Sequence, residues 1–281
     1  MATMTTAAAR LLLLLVAAAV AVPFCSGADE ALAAPTTAII HELRPRQAAL
    51  SGQLAARAGI KCGSWRLGVE THNVIGWETV PAECENYVGN YMLGDRYRHD
   101  SQVVINEAIA YADSLRLCHN GKEVWVFDVD ETSLSNLPYY AKHGFGAKPY
   151  NATSFLEYVF EGSAPALPET LRLYHRLHVL GVKAVFLTDR TEDERAVTAD
   201  NLRRQGYYGW EKLLLKPAAA ATGAAGRPQE SVVPFKAGER QKLRDAGYII
   251  VGNIGDQWSD ILGAPEGGRT FKLPDPMYYI G

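Results

Sequence analysis

From residue 118 onward the chain repeats one texture: a short apolar run, a polar loop, then an amphipathic stretch. The runs EVWVFD, VKAVFLT, KLLLK and YIIVG carry no polar alternation, which predicts strands covered on both faces. Between them Leu171, Tyr174, Leu177 and Leu180 recur on one helical face, with Gly181 placed to end that helix. Thr191 and Glu194 have the spacing of a capping box for the next helix, which should end near Gly206. Strands alternating with helices imply right-handed crossovers and a parallel, doubly wound sheet, so residues 118–281 are expected to form an α/β core. Ligands bind such sheets at the carboxyl ends of the strands. The search for function therefore starts after Phe127, Leu187, Leu215 and Val251.

Residues 28–117 show no convincing period-two run and are expected to form a helical flank or lid. Their clearest helix is SQVVINEAIAYADSLRL, with Ser101 as its cap and Val104, Ala108, Tyr111 and Leu115 on one face. Residues 218–232, AAAATGAAGRPQESV, are low in complexity and read as a mobile surface loop.

Residues 1–27 differ in kind. Arg10 precedes an apolar run from Leu11 to Val22 and then small residues, the layout of a cleaved secretory signal peptide. A membrane anchor is the competing reading, disfavoured because a spanning helix needs about 20 apolar residues. Cleavage after Gly27 or Ala28 removes one basic and no acidic residue, leaving 27 Lys and Arg against 31 Asp and Glu. With no basic field, neither a nucleic acid nor a membrane surface is an expected partner. Cys25 leaves with the signal; Cys62 and Cys84, in one segment, are the disulfide candidates in an oxidising compartment. Cys118 is then left as a free thiol, and core packing is preferred over a redox role because no CxxC is nearby. The sequon Asn151-Ala152-Thr153 makes Asn151 a glycosylation candidate, in keeping with secretion.

The strand ends carry the chemistry. Asp128, Asp130, Glu131 and Thr132 follow the first strand, Thr188, Asp189 and Arg190 the second, and Asp256 and Asp260 lie in GNIGDQWSD after the last. Carboxylates that converge repel one another and lose hydration, so a cation should hold them together. An oxygen-rich set with a backbone carbonyl and room for water suits magnesium. Beside such an ion one carboxylate can attack phosphorus, and a second can protonate the leaving oxygen and later deprotonate water.

This arrangement resembles the haloacid dehalogenase (HAD) superfamily, whose first motif is DxDxT after a buried strand. Four stretches, CGSWRLGVETHNVIGWETVPAECENYVGNYM, FDVDET, LTDRTEDER and IVGNIGDQWSDILG, are similar to the plant acid phosphatase and vegetative storage protein family. The resemblance implies a HAD-like Rossmannoid core with a small cap insert, and a Mg²⁺-dependent acid phosphatase acting on phosphomonoesters. It implies Asp128 as nucleophile, Asp130 as general acid and base, and Thr188 and Lys236 as phosphate-binding groups. Asp256 and Asp260 would hold Mg²⁺ together with the Asp128 carboxylate and the Asp130 carbonyl. Lys216, ending the third strand, competes for the lysine role. A dimer, and an extracellular or vacuolar destination, are further expectations from the resemblance.

Two features complicate that reading. Many relatives carry glycine where this chain has Asp189, and a carboxylate there should weaken phosphate binding unless Arg190 or another cation neutralises it. Residues 133–150, SLSNLPYYAKHGFGAKPY, carry four aromatic residues; a cap that selects the leaving group and core packing of Tyr139 and Tyr140 are equally good readings. Trp258 is expected to prop its loop. The competing function is a storage glycoprotein with little or no turnover; a phosphotransferase, in which an alcohol replaces water, is a further alternative.

Overall fold

The four apolar runs form the strands β1 (Glu123–Phe127), β2 (Lys183–Thr191), β3 (Lys212–Lys216) and β4 (Ile249–Gly255). A short fifth strand, β5 (Thr270–Lys272), completes an all-parallel sheet in the order β3-β2-β1-β4-β5. Three residues are too few to show a period, so the pattern of the chain does not announce β5. The computed structural model describes residues 61–218 and 231–281. The signal-peptide expectation, residues 28–60 and most of the 218–232 loop lie outside the described residues.

Alternate residues of each strand feed two apolar layers. Val124 and Val126 of β1 pack with Val185, Leu187 and Ile250 against Leu243 of α8 (Val233–Asp245). Trp125 and Phe127 point the other way, into the larger core. This double covering is why the strands read as unbroken apolar runs. Gly252 of β4 is required by that packing, since a Cβ there would run into the Trp125 ring.

The larger layer is built by α3 (Asp95–Ser114) and α6 (Pro168–Val179), which pack on each other and on the sheet. Helix α6 buries Leu173, Tyr174 and Leu177, and Gly181 follows its end at φ 75°. The capping box of Thr191 and Glu194 is present and leads through a 3₁₀ turn into α7 (Arg195–Arg204). Helix α3 corrects one expectation: it begins at Asp95 behind an extended Gly94, so Ser101 is interior and not a cap. The Ser101 hydroxyl bonds back to the Tyr97 carbonyl at 2.8 Å, which satisfies it inside the helix. The deepest face of α3 is Ser101, Ile105, Ala108 and Ala112, with Val104 and Tyr111 packed at its edge.

Two further helices, α1 (Cys62–Glu70) and α2 (Glu85–Leu93), precede α3. A Cys62–Cys84 disulfide joins the start of α1 to the turn ahead of α2. Cys118 corrects a second expectation, because it is exposed and not in the core. It lies on the loop leading into β1, where its backbone N–H donates to Glu123 Oε1 at 2.7 Å and its side chain faces water. Between β1 and β2 the chain inserts α4 (Leu137–Lys142) and α5 (Ala152–Glu161) ahead of α6. Among the described residues no helix is long and apolar enough to cross a membrane.

Candidate active site

β1 and β4 are parallel neighbours, and the chain runs from β1 outward to β2 and β3 before returning to the other side of β1 at β4. The switch point of the sheet thus lies between the carboxyl ends of β1 and β4, where a crevice opens. Asp128 leaves β1 there, its N–H still donating to Ile254 O of β4 at 3.0 Å. Asp256 directly follows β4, and Asp260 lies in the short helix α9 (Trp258–Ile261). The Asp260 carboxyl occupies the space that a Cβ on Gly255 would take. Oxygens of Asp128, Asp256 and Asp260 all lie within 4.8 Å of one another, and all three residues are buried.

Lys236, on the first turn of α8, reaches into this cluster. Its ammonium is 2.6 Å from Asp128 Oδ1 and also bonds Asp260 Oδ1. Burial favours loss of its proton, but the two carboxylates outweigh it and hold Lys236 protonated well above its ordinary range. Of the three carboxylates, Asp128 and Asp260 share that one ammonium. Burial, and then the charge of Asp260, pushes the Asp128 carboxyl up despite Lys236, and the same two causes push Asp256 up to about 6. That shortfall of positive charge inside an all-oxygen donor set fits a hard divalent cation. Asp128, Asp256 and Asp260 are the groups that would hold it.

Asp130 turns away from this trio. Arg190 Nε donates to its Oδ2 at 2.9 Å and Nη2 to its Oδ1 at 2.8 Å, and Asn136 adds a third bond at 3.1 Å. Burial pushes the Asp130 carboxyl up, yet Arg190 and Asn136 together bring it below the usual carboxylate range. Its carboxylate is thus directed to Arg190 and Asn136, and not to Lys236.

The second strand is bulged at its end. Leu187 pairs with Leu214 and Thr191 with Lys216, so four steps along β2 match two along β3. This irregularity re-aims Thr188, Asp189 and Arg190. Thr188 is fully buried, its Oγ1 accepting the Arg190 N–H at 3.2 Å. Asp189 is ion-paired with Lys216 at the end of β3. Of the two competing lysines, then, Lys236 is the one among the carboxylates, and Lys216 is the cation that offsets Asp189.

Several participants have roles that the sequence reading does not assign. Thr132 Oγ1 donates to Asp256 Oδ1 and accepts the Asp256 N–H, both at 2.9 Å. Glu131 adopts φ 48°, a strained position for a side-chain-bearing residue. Its buried carboxylate accepts from the Tyr97 hydroxyl at 2.7 Å and the Asn136 N–H at 2.6 Å. Burial, with the charge of Asp256, raises the Glu131 carboxyl to about 7 against the pull of these bonds. Arg240 is fully buried and donates to the carbonyls of Asp260, Leu262, Gly263 and Pro265, fixing the loop after α9. Lys236, Arg240 and Leu243 form one buried stripe of α8, a helical spacing the sequence does carry.

The remaining singled-out residues have local roles. Trp258 Nε1 donates to the Glu70 carbonyl at 3.2 Å, bracing its loop against α1. Tyr139 and Tyr140 are both buried; Tyr140 stacks on Tyr278, whose hydroxyl is 3.4 Å from the Asp130 carbonyl. Asn151 is exposed and caps α5 through Oδ1, which accepts the Ser154 N–H at 3.1 Å.

A parallel sheet with a carboxylate-lined switch point and a lysine among the acids is the build of a Rossmann-like phosphohydrolase core. A family model described as HAD superfamily, subfamily IIIB (Acid phosphatase), matches residues 46–281, and the chain belongs to this family of acid phosphatases. It is 49% identical to the stem 28 kDa glycoprotein of Glycine max, over 82% of this chain and 88% of that one. It is 43% identical to acid phosphatase 1 of Solanum lycopersicum, over 80% of this chain and 85% of the relative. With vegetative storage protein 1 of Arabidopsis thaliana the identity is 42%, over 78% of each chain. A class C acid phosphatase from Bacillus anthracis, solved with tungstate bound, shares the fold at a TM-score of 0.50 and 19% identity, covering 70% of this chain and 86% of that one.

Proposed function

We propose that the protein is a Mg²⁺-dependent acid phosphatase that hydrolyses phosphomonoesters through an aspartyl-phosphate on Asp128. The observation that carries this reading is the Lys236 ammonium held between Asp128 and Asp260 at the switch point. A phosphoryl group beside Asp128 would exchange part of that pairing for its own oxygens, with the buried Thr188 hydroxyl as a second donor. A divalent cation at Asp128, Asp256 and Asp260 supplies charge neutralisation for the phosphoryl oxygens.

An Asp128 oxygen attacks phosphorus, the phosphorus–ester oxygen bond breaks, and the leaving alkoxide takes a proton from Asp130. Water then attacks the phosphoryl group, gives its proton to Asp130, and releases orthophosphate with the Asp128 carboxylate restored. In the resting protein Arg190 keeps Asp130 ionised. The negative charge of an arriving substrate opposes that pairing and raises the proton affinity of Asp130, as the first half-reaction requires.

The named relatives also favour a second reading, in which the fold is kept for storage and turnover is slight. Those names further support passage through the secretory pathway to a vacuolar or extracellular destination, with Asn151 as the glycan acceptor. Hydrolysis of p-nitrophenyl phosphate at acidic pH separates the two functions. An active enzyme loses turnover with a chelator, recovers it with added Mg²⁺, and loses it in Asp128→Asn. Equal, negligible rates in both proteins would leave storage as the function.

A further inference from the structure

Gln257 lies between two of the acids that the cation needs, and it is itself 6% exposed. Its backbone N–H donates to Asp260 Oδ2 at 2.8 Å. Its side-chain amide donates to Asp256 Oδ2 at 2.7 Å and reaches Asp275 Oδ2 at 3.3 Å. Its Oε1 accepts the Ile280 N–H at 3.1 Å. The amide can face only one way here, because two carboxylates require the NH₂ end and a backbone N–H requires the oxygen.

The partners that orient Gln257 come from a segment far along the chain. Asp275 is fixed by the Met277 N–H on its Oδ1 at 2.8 Å. Ser259 Oγ donates to Ile280 O at 2.8 Å, and Gly281 O accepts the Val232 N–H at 2.7 Å, at the foot of the helix that carries Lys236. Residues 275–281 therefore strap the Asp256–Asp260 loop to the base of α8. Asp256 ends with both oxygens directed, Oδ1 by Thr132 and Oδ2 by Gln257. A neutral amide directs a carboxylate without cancelling the charge that a cation needs, and an orientation fixed in advance is not paid for on binding.

We propose that Gln257, held by the strap of residues 275–281, is a positioning residue that presents Asp256 and Asp260 to the divalent cation. This inference rests on the metal-dependent reading above. The test is calorimetric titration of Mg²⁺ into the chelator-treated, dialysed protein, which reads binding and not turnover. Gln257→Met keeps the length and removes the amide, and should weaken Mg²⁺ binding about tenfold or more. Ile280→Pro removes the N–H that orients Gln257, while also fixing the local φ, and should weaken binding severalfold, whereas Ile280→Val keeps that N–H and should bind as the unsubstituted protein does. Unsubstituted affinity in a folded Gln257→Met overturns the proposal. If Gln257→Met fails to fold, the Ile280 pair decides, and equal affinities in Pro and Val overturn it. Absence of Mg²⁺ binding by the unsubstituted protein would instead bring down the metal-dependent reading, and this inference with it.

Discussion

Arg190 grips Asp130 through two nitrogens, Nε at 2.9 Å and Nη2 at 2.8 Å, across a separation of 60 residues. Arg190 is in turn steadied by its Nη1 donating to Thr198 Oγ1 at 3.0 Å. Its side chain is almost wholly buried, while that of Asp130 keeps some access to solvent. The carboxyl assigned to proton transfer is thus held in a fixed direction before any substrate arrives.

Replacing Arg190 should therefore cost both stability and turnover. Arg190→Met leaves Asp130 without its cation and should destabilise the fold by about 3–5 kcal/mol. Arg190→Lys restores charge but not the two-pronged geometry and should recover only part of the loss. Thermal unfolding and kcat/KM on p-nitrophenyl phosphate, measured in both variants, check the two effects.

Lys236 carries the opposite expectation with respect to metal. In Lys236→Met the buried carboxylates of Asp128 and Asp260 lose their shared ammonium, at a cost of about 3–5 kcal/mol in metal-free protein. Added Mg²⁺ binds only the folded form and should raise Tm more in this variant than in the unsubstituted protein. An equal Mg²⁺-induced rise in both would contradict a shared charge deficit at the cluster.

Stability should depend on pH through Glu131. Its folded carboxyl is raised from 4.5 to about 7, so between those values the folded state binds more protons than the unfolded one. Stability must then fall as pH rises through that window and level off above it. The shift corresponds to about 3 kcal/mol. Glu131→Gln should flatten this slope in unfolding measured from pH 4 to 8 with a chelator present; an unchanged slope would assign the dependence to other groups.

Asp189 and Lys216 should act as a unit. Lys216→Met leaves the Asp189 carboxylate unopposed beside the phosphate position and should raise KM about fivefold. Asp189→Gly alone should change KM little, and adding it to Lys216→Met should restore the original value. Additive effects in this double-mutant cycle would show that the ion pair does not govern substrate binding.

The sequence made legible whatever is written in neighbouring residues. Four strands, the ends of α6 and α7, and the acids of the switch point all follow from short-range patterns such as the apolar run into Asp128. Partnerships across the sheet were not legible: Arg190 with Asp130, Lys236 with Asp260, and Gln257 with Asp275 are set by the order of the strands. A serine before an apolar periodic run has the signature of a cap, but Ser101 is interior and bonds back to the Tyr97 carbonyl instead. The absence of a nearby CxxC argues against a redox role for Cys118 but does not bury it: the thiol is exposed on the loop ahead of β1. Strand β5 was too short to read.

The exposure of Cys118 has a practical consequence. It precedes β1 and so lies at the amino end of the sheet, opposite the carboxyl ends where the acids gather, while Cys62 and Cys84 are consumed by their bond. Among the described residues, a maleimide dye or a surface tether has one thiol to choose. Molecules immobilised through it would stand with their catalytic pole facing away from the support, open to substrate.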